Sequence, residues 1–155
     1  MSILTNEDLE QMAIEIKLPL VGVFCKDELP KKKIEGFYII NMQNSVDSNG
    51  KSLGGTHWIS AGIWKGKSFY FDSFGCICPN EVKKFLPKPI MYNTQQIQSI
   101  DSSDCGYFAF CCCYYLYKNG LNETTYDKFV KMFDENNFKK NDKVIQKYSK
   151  KIFKV

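Results

Sequence analysis

The sequence predicts an α/β fold in which a buried helix packs against a β-sheet. Two strand-like runs, 57–64 and 67–72, are separated by Lys65-Gly66, a pattern typical of a β-hairpin. A third run, CGYFAFCCCYYLY from Cys105, is apolar on every face and follows Ser-Ser-Asp, a group of strong helix N-cap residues. Such a helix belongs in a protein core. The length of 155 residues predicts a single domain over 1–155.

Four further elements are predicted before the hairpin. A short amphipathic helix begins after Thr5, a residue typical of N-caps, and ends near residue 18. The apolar run 20–24 fits a strand or an extended segment. Residues 36–42 (GFYIINM) are β-branched and aromatic, which predicts a strand. The stretch 44–55 is rich in Asn, Ser and Gly, which predicts a loop.

Four more elements are predicted around the central helix. Residues 79–86 begin with proline and fit a short helix. Residues 90–98 fit a further, less apolar strand. After the central helix, an amphipathic helix starts at Asn122 or Thr124. The final segment, 139–155, is expected to be a basic, partly helical tail.

The composition excludes several classes of protein. Hydrophobic residues make up 44% and aromatic residues 15% of the chain, which argues against a disordered protein. No apolar run reaches the ~18 residues that a membrane-spanning helix requires, and the N-terminus does not resemble a signal peptide. We therefore expect an intracellular protein that is neither secreted nor membrane-bound, with its seven cysteines reduced.

Lysine supplies the whole positive charge. All 21 basic residues are lysines and the net charge is +4, so bidentate arginine contacts to nucleic acids are excluded and any such binding should be diffuse. The C-terminal segment carries a cluster of seven lysines: Lys139, Lys140, Lys143, Lys147, Lys150, Lys151 and Lys154. This cluster is either a solvated helix face, the more frequent case, or a binding surface for DNA or another polyanion.

Four residues supply the side chains that a cysteine protease uses. In chain order they are His57, Asp72, Gln98 and Cys105. A thiol nucleophile needs an imidazole base, a carboxylate can orient that imidazole, and an amide can donate to the oxyanion. His57 is the only histidine in the chain, so this hypothesis depends on it.

Cys105 has features that the other cysteines lack. It lies at a predicted helix start, where unpaired amides and the helix dipole favour a thiolate. Gly106 would let a substrate backbone come close, and Trp58 is either a core residue or a wall of the substrate channel. Cys111, Cys112 and Cys113 lack these features and fit core positions. The alternative for Cys105 itself is an ordinary buried cysteine.

The other three residues also have ordinary alternatives. His57 fits a structural histidine, and Asp72, which precedes Ser and Gly, fits the start of a turn. Gln98 fits a polar residue on the wet face of a strand. Gln95 and Gln96 compete with Gln98 for the oxyanion role. Strand alternation would place Gln95 on the opposite face.

A zinc site is the other chemistry that the cysteines allow. Cys76 and Cys78 form a CxC pair, but the chain has no second pair at zinc-finger spacing. Adjacent cysteines on one helix also point in different directions. We therefore expect no metal.

Four stretches of the chain resemble the adenovirus-type endopeptidases, or adenains. They are GGTHW (54–58), FYFDSFG (69–75), QSIDSSDCGYFAFCC (98–112) and VGVFCKDELP (21–30). The resemblance extends more distantly to the proteases of ubiquitin-like proteins. It implies a mixed central sheet flanked by helices, with His57 and Asp72 on the sheet and Cys105 at the N-terminus of the buried helix. The seven-residue spacing to Cys105 selects Gln98.

The same resemblance implies a function. It points to a viral thiol protease that cleaves capsid or core precursors after small residues, typically glycine, during virion maturation. It implies a monomer inside the virion and the host cell, with no cofactor needed for the chemistry and with DNA or a peptide as activator. The chain looks shorter than an adenain, and Asp72 stands where adenains usually have Glu. Two alternatives remain: a protease of ubiquitin-like modifiers, and a non-catalytic, capsid-associated nucleic-acid-binding protein.

Overall fold

The structure, a computed structural model, describes residues 3–43, 49 and 57–154. It shows a mixed α/β fold with a five-stranded sheet flanked by helices. The elements in chain order are α1 (Asn6–Ile16), β1 (Leu20–Cys25), β2 (Gly36–Asn41), β3 (Trp58–Trp64), β4 (Lys67–Phe71), α2 (Asn80–Phe85), β5 (Ile90–Met91), α3 (Cys105–Asn119), α4 (Glu123–Lys131) and α5 (Phe138–Phe153). The predicted loop 44–55 lies outside the described residues except for Asn49.

The sheet is mixed, and its spatial order follows the chain order β1-β2-β3-β4-β5. The two outer pairs, β1 with β2 and β4 with β5, are parallel, whereas β2, β3 and β4 pair antiparallel. The predicted hairpin joins β3 and β4. Lys65 and Gly66 at its turn have φ values of 51° and 78°, the left-handed conformations that match the twist of paired strands.

Each face of the sheet carries its own hydrophobic core. Phe37, Ile39, Phe69 and Phe71 face the larger core, which α1, α3, α4 and α5 complete. The alternate strand residues face a smaller core, closed by α2 through Val82, Phe85 and Leu86. This alternation follows from the two-residue period of a strand.

Helix α3 is the buried central helix that the sequence predicts. Cys111, Cys112 and Cys113 are fully buried, as expected for core positions. The helix ends at Gly120, whose φ of 99° suits glycine at a helix terminus. None of the described helices is long and apolar enough to cross a membrane.

The prediction of a strand over 90–98 is wrong for most of its length. Only Ile90 and Met91 pair with β4. Beyond them the chain turns toward the end of β4, where Ile97 and Gln98 donate their backbone N–H groups to the Ser73 carbonyl oxygen. Strand alternation therefore cannot distinguish Gln98 from its neighbours.

The lysine-rich C-terminal segment is also more ordered than predicted. Helix α5 is regular over Phe138–Phe153 and packs against α3, with Asn141, Ile145 and Ser149 buried. The seven lysines of the C-terminal segment, six in α5 and Lys154 at its C-cap, are all exposed. The segment is thus an integral part of the larger core, with a basic outer face.

Candidate active site

The β3–β4 hairpin brings His57 and Asp72 together. His57 immediately precedes β3 and Asp72 immediately follows β4, so the antiparallel pairing carries both to one end of the sheet. The His57 Nε2 atom lies 2.6 Å from Asp72 Oδ1. A carboxylate can only accept here, so Nε2 carries the proton and Nδ1 is left for a second partner.

Cys105 is the other group that interacts with the His57 imidazole, and this interaction helps to raise the His57 pKa. The Nδ1 atom is buried and forms no hydrogen bond among the described residues. The structure therefore brings a carboxylate and a thiol to the same imidazole, with a hydrogen bond on the Asp72 side alone.

The surroundings favour the imidazolium form of His57. Burial lowers its pKa, but the hydrogen bonds and negative charges of Asp72 and Cys105 outweigh burial and raise the pKa to about 9. The Phe74 ring stacks on the imidazole with a centroid distance of 4.5 Å and an interplanar angle of 25°. The imidazole is thus held on one face and charged at neutral pH.

Asp72 is itself fixed from several sides. It is fully buried, and its Oδ1 also accepts from the Phe74 backbone N–H at 2.8 Å. Asn93 accepts from the Asp72 backbone N–H and donates to the Asp72 carbonyl oxygen. The Tyr126 hydroxyl on α4 donates its proton to the Tyr70 carbonyl oxygen at 2.6 Å and lies 3.3 Å from the Asn93 side-chain oxygen. The carboxylate is therefore aimed at His57 by a buried network.

The turn after Asp72 requires a glycine. Gly75 has a φ of 71°, and a Cβ atom there would lie 2.6 Å from the Thr94 carbonyl oxygen. Its backbone N–H donates to the Asp72 carbonyl oxygen at 2.8 Å. This turn places Phe74 over the imidazole.

Cys105 is the first residue of α3, as predicted, and is 7% exposed. Asp104 occupies the N-cap position, but its side chain does not cap the helix. Its Oδ2 instead accepts from Gln146 of α5 at 2.8 Å. The first-turn amides of α3 are thus not bonded by the N-cap side chain, and α5 holds the residue before Cys105.

Gln98 lies at the start of the loop that leads to Cys105. It is fully buried, and its Nε2 donates to the Ser102 carbonyl oxygen at 2.9 Å. The primary amide has a second N–H to donate. Gln96, by contrast, is bonded to the Gln98 carbonyl oxygen through its own side-chain amide.

Gly106 and Trp58 are in contact with the N-terminal segment. A Cβ atom on Gly106 would lie 3.1 Å from Leu4 and 3.3 Å from Trp58. The Trp58 Nε1 donates to the Leu4 carbonyl oxygen at 3.0 Å, and the indole is 6% exposed. The absence of a side chain at Gly106 therefore makes room for Leu4. The sequence had suggested room for a substrate backbone instead.

A cavity opens beside this contact. It has a volume of about 390 Å³ and lies between the segment Ile3–Asn6 and the end of β1. Leu4 and Trp58 line it, and Glu28 and Asn41 add polar groups. Cys105 and His57 are not among the residues that line this cavity.

The remaining six cysteines have environments that suppress thiolate formation. Burial is the main cause that raises the pKa of Cys25, Cys76 and Cys78, and the value for Cys78 is about 11. Glu28 raises the pKa of Cys25 further. Burial also raises the pKa of the other three cysteines of α3, to about 12 for Cys113. Cys105 differs from all six in contacting an imidazole.

One group of metal-ligand side chains occurs within the described ranges. The ligand atoms of Cys25, Asp27 and Glu28 all lie within 4.8 Å of one another. The cysteines that the zinc alternative invoked are not grouped with a third ligand in this part of the chain.

The sequence predicted His57, Asp72, Gln98 and Cys105 as site residues. In the structure His57 and Asp72 lie together at one end of the β3–β4 hairpin, and Gln98 begins the loop that leads to Cys105 at the start of α3. Sequence reasoning missed Asn93 and the stacking ring of Phe74, whose contacts have no local sequence signature. No known protein-family model matches the chain, and no curated protein sequence matches it significantly.

Proposed function

We propose that this protein is a cysteine endopeptidase with Cys105 as nucleophile, His57 as base and acid, and Asp72 as orienting residue. The observation that carries the proposal is the 2.6 Å contact between His57 Nε2 and buried Asp72, with Cys105 beside the same imidazole. A purely structural histidine has no need of a thiol at a helix start beside it.

The geometry supports the following reaction. Because His57 is an imidazolium at neutral pH, Cys105 reacts as the thiolate whose proton the imidazole has already taken up, and the sulfur attacks the carbonyl carbon of the scissile bond. The backbone N–H of Cys105 and the second N–H of Gln98 donate to the oxyanion. The imidazolium then protonates the leaving amine as the C–N bond breaks. Water, deprotonated by His57, hydrolyses the thioester and releases Cys105.

The substrate class follows from the resemblance to adenains. Capsid or core precursor proteins of a virus, cut after a small residue such as glycine, fit a nucleophile that is only 7% exposed. In this proposal the protein acts as a monomer in the virion and the infected cell, and the basic face of α5 binds DNA as an activator.

A second candidate is a protease of ubiquitin-like modifiers. The acid at position 72 is aspartate, as in those proteases, and this observation favours the candidate over an adenain with Glu. The two candidates share the chemistry and differ in substrate, since the second requires a chain that ends in diglycine.

Incubation with candidate substrates tests the proposal. Purified wild-type protein and Cys105→Ala would each be mixed with the capsid proteins encoded beside its gene and with a diglycine-linked ubiquitin-like fusion. New N-termini identified by mass spectrometry with wild-type protein alone would support the protease. Cleavage of the fusion alone would select the second candidate. Cleavage by neither protein, or equally by both, would contradict the function.

A further inference from the structure

Ser73, the residue after Asp72, connects the catalytic acid to the predicted oxyanion donor. Its hydroxyl lies 2.6 Å from Gln98 Oε1, and both side chains are buried, with 1% and 0% exposure. Its carbonyl oxygen accepts from the backbone N–H groups of Ile97 and Gln98 at 2.8 and 2.9 Å. One serine thus makes three hydrogen bonds to the segment that carries Gln98.

The direction of these bonds fixes the orientation of the Gln98 amide. The Ser102 carbonyl oxygen can only accept, so the Gln98 atom 2.9 Å from it must be the NH₂ group. The amide oxygen must then face Ser73, whose hydroxyl donates to it. A flipped amide would set two acceptors, its own oxygen and the Ser102 carbonyl oxygen, against each other.

We propose that Ser73 is a positioning residue for catalysis, which holds the Gln98 amide with its N–H groups toward the Ser102–Cys105 loop. The inference rests on the proposed function, because an oxyanion donor has meaning only for a protease. The side chain of Ser73 touches no reacting group and acts through Gln98 alone.

A double-mutant cycle separates this role from a general effect on the fold. Ser73→Ala, Gln98→Ala and the double variant would be compared with wild-type protein in kcat and KM on a cleaved substrate. Loss of one oxyanion donor lowers kcat by about 100-fold. A misdirected donor should therefore lower kcat by at least ~10-fold. We expect Ser73→Ala to lower kcat with KM nearly unchanged. The double variant should be no slower than Gln98→Ala.

The rate at which iodoacetamide alkylates Cys105 distinguishes a positioning role from a structural one. A variant with a disturbed site would change this rate. The thiolate displaces iodide at a saturated carbon, so no oxyanion forms and the rate reports only the Cys105–His57 pair. This rate should be unchanged in Ser73→Ala. Ser68→Ala is the matched control: Ser68 is equally buried at 1% and bonds to the Pro87 and Pro89 carbonyl oxygens, away from Gln98. Its kcat should match wild type.

The outcomes are distinguishable. An active wild type with unchanged kcat in Ser73→Ala, or losses that multiply in the double variant, would overturn the role of Ser73 and leave the protease proposal standing. A slower alkylation rate in Ser73→Ala would overturn it too, by assigning the effect to the His57–Cys105 pair. A wild type that neither cleaves nor alkylates selectively at Cys105 would overturn both proposals.

Discussion

Asn93 forms hydrogen bonds with both backbone polar groups of Asp72. The Asp72 N–H donates to Asn93 Oδ1 at 3.2 Å, and Asn93 Nδ2 donates to the Asp72 carbonyl oxygen at 2.9 Å. The same amide also donates to the Gln95 carbonyl oxygen at 3.1 Å, and the Tyr126 hydroxyl lies 3.3 Å from the amide oxygen. Three hydrogen bonds therefore hold the Asn93 amide against Asp72 and the chain that follows it.

Asn93→Ala should destabilise the protein and misplace the Asp72 carboxylate. Buried backbone groups left without partners cost about 1–3 kcal/mol each, so the free energy of unfolding in urea should fall by a few kcal/mol. Turnover should also fall at temperatures where the variant is folded. Asn119→Ala is the control, because Asn119 is exposed and its side chain donates to the Tyr115 carbonyl oxygen of its own helix. Equal stability of the two variants would contradict the role of Asn93.

Iodoacetamide should label Cys105 before the other six cysteines in the folded protein. Their raised pKa values keep them as thiols, and three of them are inaccessible within α3. Peptide mapping by mass spectrometry after brief exposure measures the order of labelling. Faster labelling of Cys76, the exposed cysteine, would refute the special reactivity of Cys105. Cys105→Ala should abolish cleavage with little loss of stability.

Asp72→Asn should lower kcat by at least ~10-fold and shift its pH dependence, whereas His57→Ala should remove activity almost entirely. In wild-type protein the imidazolium persists to a pKa of about 9, so the alkaline limb of kcat/KM should lie near that pH. Without the Asp72 charge the limb should move toward about pH 6.5, the ordinary value for histidine. An unmoved limb in Asp72→Asn would show that Asp72 does not set the protonation of His57.

The same pKa shift predicts a pH dependence of stability. The folded protein binds the His57 proton more tightly than the unfolded chain, because the folded pKa is the higher one. Its contribution is therefore full below about pH 6.5 and is lost as pH rises through about 9. Urea unfolding of wild type and His57→Gln across this range measures the difference, which should shrink toward high pH. A difference that grows with pH would contradict the ion pair.

Gln98→Ala should lower kcat by about 100-fold with little change in KM. Gln96→Ala is the comparison variant, because Gln96 is adjacent but its side chain only supports the Gln98 carbonyl oxygen. Steady-state kinetics of both variants on one cleaved substrate decide the assignment. Equal losses in kcat, or a change in KM alone, would remove Gln98 from the oxyanion site.

The basic face of α5 should be tested by substitution and not by deletion. Removing 139–155 would take away Ile145 from the core and Gln146 from Asp104, so it should unfold or inactivate the protein. Replacing Lys143, Lys147 and Lys150 by Gln should leave stability near wild type. If DNA binds this face, its affinity should fall steeply with salt and be weaker in the variant. Salt-independent binding in a fluorescence anisotropy titration would exclude the face.

The sequence by itself determined the elements whose evidence is local. Lys65-Gly66 between two strand-like runs predicts the hairpin, and antiparallel pairing then requires His57 and Asp72 to meet at one end. The uniformly apolar run from Cys105 predicts a central helix whose first residue is the cysteine. These conclusions need only the periods of strands and helices and the preferences of turn residues.

Only the tertiary structure decided the contacts between distant parts of the chain. Ser73 is hydrogen-bonded to Gln98, Asn93 is hydrogen-bonded to Asp72, and Leu4 packs on Gly106. These contacts form because the sheet and helices bring distant segments together. The segment after Met91 leaves the sheet for the same reason, since its amide groups find partners at the Asp72–Ser73 turn. Hydrogen bonds between residues far apart in sequence depend on how the elements pack, so residue spacing along the chain cannot predict them.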